Sequence, residues 1–166
     1  MIYLIDSAVI LNDVQFSFDA KKRYITTSAV VAEIKDFRSR GVVDNAFKHN
    51  LLKIEAPSTK AVEKIQKKVD ETGMRLSKAD VSLVALAFDY KQRKRRINLI
   101  TDDYSVQNML SALSIPFSSV IRGEIEKEIE FEKICTGCGK KYKGNYVEVK
   151  CNICGSILKR VRKESN

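Results

Sequence analysis

The chain has 166 residues, 44% hydrophobic and 31% charged, with a formal net charge of +9. No apolar run approaches the roughly 20 residues of a membrane span, and the first residues lack a basic leader and a small-residue cleavage site, so the expectation is a cytoplasmic protein with reduced cysteines. The basic balance favours an anionic partner, most plausibly nucleic acid.

Ile2–Ile5 is a short apolar run ending at Asp6 and reads as a buried parallel strand. A helix follows over 7–11, with Asp6 or Ser7 near its N-cap. Arg23–Thr26 is a second strand, β-branched and aromatic. Ser28 then caps a helix whose apolar set is Val30, Val31, Ile34 and Phe37, placing Glu33 about one turn inside its start. A short strand covers 52–55, and a helix runs over Thr59–Thr72 until Gly73 ends it. Ser77 with Asp80 three residues on is a capping box for the next helix, whose buried stripe is Val81, Val84, Ala85 and Phe88. Ile97–Ile100 is another apolar strand, followed by Thr101-Asp102-Asp103 and a helix through Val106, Leu110 and Leu113. A last short strand spans 118–121. Strands alternating with helices predict an α/β fold with a mainly parallel central sheet flanked by helices. In such sheets ligands bind at the carboxyl ends of the strands. Asp6, Glu33, Asp80 and the Asp102-Asp103 pair all fall at strand-to-helix transitions and can converge on that edge.

Beyond a charged connector at 124–133 come two C-x2-C knuckles, Cys135/Cys138 and Cys151/Cys154, each followed by glycine. Four thiolates on two tight turns match tetrahedral zinc in a closed, structural site, with iron or a redox role as the alternative. The segment 140–150 reads as a hairpin with Gly144-Asn145 at its turn. The module is too small for an apolar core of its own, so the ion should account for most of its folding. Nine basic residues against one acid, Glu148, occupy 133–163. Lys140, Lys141, Lys143, Lys159, Arg160 and Arg162 are therefore candidate RNA contacts, against a plain docking role for the ribbon. A second basic run, Arg93, Lys94, Arg95 and Arg96, is either a solvated loop or a phosphate contact whose affinity falls with salt. Tyr142 and Tyr146 either stack on bases or pack against the knuckles. His49 is the single histidine, which rules out a Ser-His-Asp arrangement elsewhere.

Ile5-Asp6-Ser7, Glu33 after Thr-Thr-Ser-Ala-Val-Val, Leu76-Ser-Lys-Ala-Asp80 and Thr101-Asp-Asp103, in this order, resemble the PIN-domain nucleases over about the first 120 residues. Tyr104-Ser-Val-Gln107-Asn108 and the four-cysteine ribbon extend the resemblance to the archaeal nucleases that mature the 3′ end of small-subunit (16S) ribosomal RNA. With the charge pattern and the cysteine knuckles, the expected division is a PIN-like nuclease domain (1–122), a linker (123–133), a zinc ribbon (134–158) and a basic tail (159–166). The resemblance implies an endoribonuclease dependent on one or two Mg2+ or Mn2+ ions and acting on single-stranded precursor rRNA in the pre-ribosomal small subunit. Such nucleases can assemble as homo-oligomers. Hard cations take oxygen ligands, so Asp6 and Asp80 are expected as direct ligands. Asp103 matches the family position best, with Asp102 as the alternative. Glu33 binds an ion or orients the attacking water, and Ser7 and Thr101 fix ligand geometry. Taken singly, Asp6 and Asp80 read equally as helix caps, Glu33 as an exposed helix residue and Asp102 as a turn residue. A toxin-type PIN ribonuclease and a non-catalytic RNA-binding ribosome assembly factor are the competing functions.

Overall fold

The computed structural model describes residues 1–12, 16–121, 124–125, 131–143, 146 and 148–162. The chain forms two compact units, Met1–Glu128 and Ile129–Asn166. In the first, the order is β1 (Ile2–Ile5), α1 (Ser7–Asn12), β2 (Arg23–Thr26), α2 (Ser28–Glu33), α3 (Phe37–Lys48), β3 (Leu52–Ile54), α4 (Thr59–Thr72), α5 (Lys78–Gln92), β4 (Ile97–Ile100), α6 (Tyr104–Leu113) and β5 (Phe117–Ser118). A short antiparallel pair, β6 (Val120–Ile121) and β7 (Glu124–Ile125), follows. Strands β1 to β5 form one parallel sheet in the order β3-β2-β1-β4-β5, the expected α/β architecture. No described helix is long and apolar enough to cross a membrane.

The strand order reverses between β1 and β4, and a crevice opens at their carboxyl ends at such a switch point. Register sets what enters it. Ile5 pairs with Ile100, and the Asp6 N–H donates to the Ile100 carbonyl at 3.1 Å. The next residues, Asp6 and Thr101, therefore leave the sheet side by side. Leu4, Ile5, Leu99 and Ile100 are fully buried, so β1 and β4 are covered on both faces as central strands of a parallel sheet.

Three local readings are corrected. The helix expected to run from Ser28 through Phe37 is two helices. Thr27, not Ser28, caps α2, and the helix ends at Glu33 with Ile34 as C-cap. Asp36 then caps α3, its carboxylate accepting the Ser39 N–H at 2.8 Å. Phe37 is 96% exposed and belongs to no buried stripe. Glu33 consequently sits in the last turn of a six-residue helix, not the first turn of a longer one. The expected strand at 118–121 divides at Ser119: Ser118 pairs with Ile100 in the main sheet, while Val120 and Ile121 pair with β7. Helix α5 is buried nearly all round, from Leu83 to Ala87, and Phe88 is only half-buried with the Lys64 ammonium 4.8 Å from its ring.

The second unit is an antiparallel sheet of β8 (Phe131–Cys135), β9 (Lys141–Lys143) and β10 (Leu158–Arg162), ordered β10-β8-β9. Each knuckle is the tip of an antiparallel pair. Lys141–Lys143 pairs back across the first knuckle with 132–134, and Lys150 bridges Ile157 across the second. These pairings replace the hairpin expected within 140–150, whose turn at Gly144-Asn145 lies outside the described residues. Strand pairing also starts at Phe131 and runs to Arg162, inside stretches read from their charge as linker and tail. Charge there does not mark the end of pairing: Glu132, Lys133 and Arg160 are part-buried within the strands.

Candidate active site and metal centre

Four elements bring four carboxylates to the switch-point edge. Asp6 follows β1 and is 1% exposed. Its Oδ2 accepts from Thr101 Oγ1 at 2.6 Å, across the β1–β4 pair. Ser7 Oγ lies 2.9 Å from Glu33 Oε2 and 3.4 Å from Asp6 Oδ1. One hydroxyl carries one proton, so the shorter contact is the principal bond. Ser77 Oγ donates to Glu33 Oε1 at 3.1 Å while accepting the Asp80 N–H at 3.1 Å, and Asp80 Oδ2 accepts the Ser77 N–H at 2.7 Å. The capping box that starts α5 therefore also ties Glu33 to Asp80. This role of Ser77 escaped the sequence reading, which saw the cap and had no local signal for a partner 44 residues away. Loss of an N-cap hydroxyl costs about 1 kcal/mol. At Ser77 it would also release one Glu33 oxygen.

The Asp102-Asp103 pair divides its labour. Asp102 Oδ1 accepts the Val120 N–H at 3.0 Å and fastens the start of β6. Asp103 caps α6, its Oδ1 accepting from the N–H groups of Ser105 and Val106 at 2.6 and 3.2 Å. The Asp103 N–H donates to Thr101 Oγ1 at 3.1 Å, and Gln107 Nε2 donates to the Thr101 carbonyl at 3.0 Å. Thr101 thereby joins Asp6 to Asp103.

Electrostatics puts all four carboxylates in one field. Burial pushes the Asp6 carboxyl up from its ordinary 3.8 to about 6. The Thr101 hydrogen bond opposes this, and Asp80 and Asp103 add to it. Burial also raises Asp80; the Ser77 backbone and side chain oppose the rise, and Asp103 and Glu33 reinforce it. Among the described residues none of the four carboxylates has a Lys or Arg within 4.0 Å. An oxygen-only, uncompensated acidic set of this kind fits a hard divalent cation. Within the same set, the helix-cap readings of Asp80 and Asp103 are also correct: both cap and both face the cluster.

The thiolates form a tighter group. The four Sγ atoms lie within 4.8 Å of one another, and among the described residues no carboxylate group is as close-set. Cys135 Sγ is 3.3 Å from Cys154 Sγ, and Cys138 Sγ is 3.6 Å from Cys151 Sγ. Four sulfurs about 2.3 Å from a central ion would stand about 3.8 Å apart, so the cluster fits a tetrahedral site. The N–H groups of Gly137, Cys138 and Ile153 point at the Cys135 and Cys151 sulfurs at 3.4 Å. Gly139 and Gly155, both at φ +72°, turn the backbone so that the following N–H groups, of Lys140 and Ser156, serve the Cys138 and Cys154 sulfurs. The Tyr142 hydroxyl donates to Asn152 Oδ1 at 2.7 Å and also lies 2.9 Å from Cys151 Sγ; that contact, with the Cys154 and Ile153 N–H groups, holds this thiol below its ordinary value. Tyr142 is buried and stacks at 4.5 Å on Tyr146, so it packs against the knuckles.

The basic candidates lie in different settings. Arg93, Lys94, Arg95 and Arg96 are exposed in the turn before β4, with Lys94 at φ +55°. That is the amino end of β4, the opposite edge of the sheet from the carboxylates, about 13 Å away over four residues. Lys140, Lys143 and Lys159 are exposed. Lys141 pairs with Glu132 at 3.1 Å, and Arg160 is half-buried. The Arg162 side chain lies outside the described residues.

Comparison with known proteins agrees with this arrangement. The PIN domain of ribonuclease matches residues 3–90. The endoribonuclease Nob1 of Methanothermobacter thermautotrophicus is 36% identical over 82% of this chain and 81% of its own length. The endoribonuclease Nob1 of Archaeoglobus fulgidus is 31% identical over 99% of this chain and 95% of its own. The ribonuclease VapC1 of Thermoplasma acidophilum is 32% identical over 96% and 78% respectively. The chain belongs to the PIN-domain ribonuclease family, together with the archaeal endoribonucleases Nob1, and is an endoribonuclease.

Proposed function

We propose that the chain is the cytoplasmic endoribonuclease that cuts single-stranded precursor rRNA at the 3′ end of the small-subunit (16S) RNA, within the pre-ribosomal small subunit. The observation that carries the chemistry is the shared field of Asp6, Glu33, Asp80 and Asp103, with no cationic side chain among the described residues within 4.0 Å of them. Asp6 and Asp80 hold one or two Mg2+ or Mn2+ ions, with Asp103 completing the oxygen set. The bound cation supplies charge neutralisation at the phosphodiester and a lowered pKa for the attacking water. Thr101 and Ser7 orient the buried Asp6 carboxylate. Glu33, exposed and held through both oxygens by Ser7 and Ser77, orients the attacking water. Asp102, occupied by the Val120 N–H, keeps its loop in place and takes no part in binding the ion.

The ribbon holds one structural Zn2+ on Cys135, Cys138, Cys151 and Cys154, and its exposed Lys140, Lys143 and Lys159 contact RNA phosphates. The 93–96 turn serves RNA reaching the far edge of the sheet, remote from the bond being cut. The rRNA assignment rests on the Nob1 relatives, of which that of Archaeoglobus fulgidus matches over 99% of this chain, ribbon included. The toxin reading has the VapC1 relative in its favour, and substrate choice separates the two.

The test is incubation of the full chain with a precursor-rRNA fragment spanning the small-subunit 3′ end, with and without Mn2+. The expected result is one predominant Mn2+-dependent cut at the mature end. Cleavage of unrelated RNAs with equal efficiency supports the toxin reading, and binding without products supports a non-catalytic assembly factor.

A further inference from the structure

Phe37 and Tyr104 are 96% and 79% exposed, and among the described residues they are the Phe and Tyr side chains left in solvent. The others are buried or half-buried, as in the cluster of Phe16, Phe18 and Tyr24. Neither exposed ring supports the core. Each occupies the first position of a helix that follows a member of the acidic cluster. Tyr104 starts α6 directly after Asp103, and Phe37 starts α3 four residues after Glu33, a span of at most about 14 Å. Their backbones are pinned. Asp103 and Asp36 cap the two helices, Ser39 Oγ reaches the Ile10 carbonyl at 3.4 Å, and Arg40 Nε donates to the Ile34 carbonyl at 3.0 Å.

We propose that Tyr104 and Phe37 are stacking platforms for the nucleobases flanking the scissile phosphate. The proposal rests on the nuclease reading above and deepens it. An aromatic face accepts any unpaired base and cannot receive one already stacked in a duplex. The two rings thus give the site a preference for single strands without a preference for sequence. Pre-set backbones reduce the ordering cost of binding.

The test uses the full, ribbon-loaded chain and the precursor-rRNA fragment carrying 2-aminopurine on either side of the cut, in buffer free of Mg2+ and Mn2+ so that the RNA stays whole. The wild type is expected to change the fluorescence at both positions. Tyr104→Ala and Phe37→Ala should each abolish the change at one position and weaken binding roughly tenfold. Tyr104→Phe and Phe37→Tyr should retain both signals. Because both rings are exposed, far-UV circular dichroism of the alanine variants should match the wild type. If the wild type cuts this RNA in Mn2+ while both alanine variants bind and report as it does, the stacking proposal is overturned and the nuclease reading stands. A wild type that does not cut in Mn2+ overturns the nuclease reading, and the proposal with it.

Discussion

Asp6→Asn is expected to make the cation-free protein more stable at neutral pH and to abolish RNA cleavage. The two effects have one cause. Burial, with the nearby Asp80 and Asp103 charges, holds the Asp6 carboxyl at about 6, above its unfolded value of 3.8. Between those values the folded chain keeps a proton that the unfolded chain releases, so stability falls as pH rises through the window. Above about pH 6 the folded state carries a buried anion at a cost of about 3 kcal/mol, from roughly two units at 1.36 kcal/mol each. Asparagine removes the charge and retains an oxygen for the Thr101 hydroxyl. Urea unfolding without Mg2+ or Mn2+ should show the variant about 1–3 kcal/mol more stable than wild type at pH 8, with no gain at pH 4. Added Mn2+ should reverse the order, because binding stabilises only the chain that holds the ion well. Cleavage should fall at least about a thousandfold, the scale of losing several kcal/mol of charge stabilisation. A variant equal to or less stable than wild type at pH 8 would contradict the electrostatic reading of the site.

Removing the ion from the thiolate cluster is expected to unfold the second unit and leave the first intact. Among the described residues the buried side chains of that unit are Cys135, Tyr142, Cys151 and Leu158, with Tyr146 packed on them, and half of the four are thiols. Without an ion their mutual approach is unsupported, and too little apolar surface remains to offset the chain entropy. A strong zinc chelator should collapse the amide chemical-shift dispersion of 131–162 while signals from 2–121 stay in place. Acid should act likewise, because protons compete with the ion for the four thiolates. Dispersion that survives complete metal removal would show that the ribbon folds by other means.

The central sheet and the positions of Asp6 and Thr101 were legible because β1 and β4 are short apolar runs with a polar stop. Ile2–Ile5 before Asp6 and Ile97–Ile100 before Thr101 are these runs, and their pairing follows from burial on both faces. The break between α2 and α3 was not legible. Val30, Val31, Ile34 and Phe37 keep helical spacing across it, and nothing local distinguishes Phe37 in solvent from a core residue. Asp36 was the available signal, since a cap followed by Phe-Arg-Ser is a helix start. Ser77 shows the complementary limit. Its cap was evident from Asp80 three residues on, whereas its bond to Glu33 depends on how β2, α2 and α5 are placed in space. Asp102 and Asp103 could not be told apart by type. The Val120 N–H that engages one and the helix that the other caps distinguish them.

Paramagnetic broadening of the amide spectrum by substoichiometric Mn2+, with the thiolate cluster already loaded, reports directly where a hard cation settles. Signals of Asp6, Ser7, Glu33, Asp80, Thr101 and Asp103 should vanish first and together in the wild type, and persist in Asp6→Asn at the same Mn2+ concentration. Broadening that begins elsewhere, or that is indifferent to the substitution, would contradict the assignment of these carboxylates as a shared cation site.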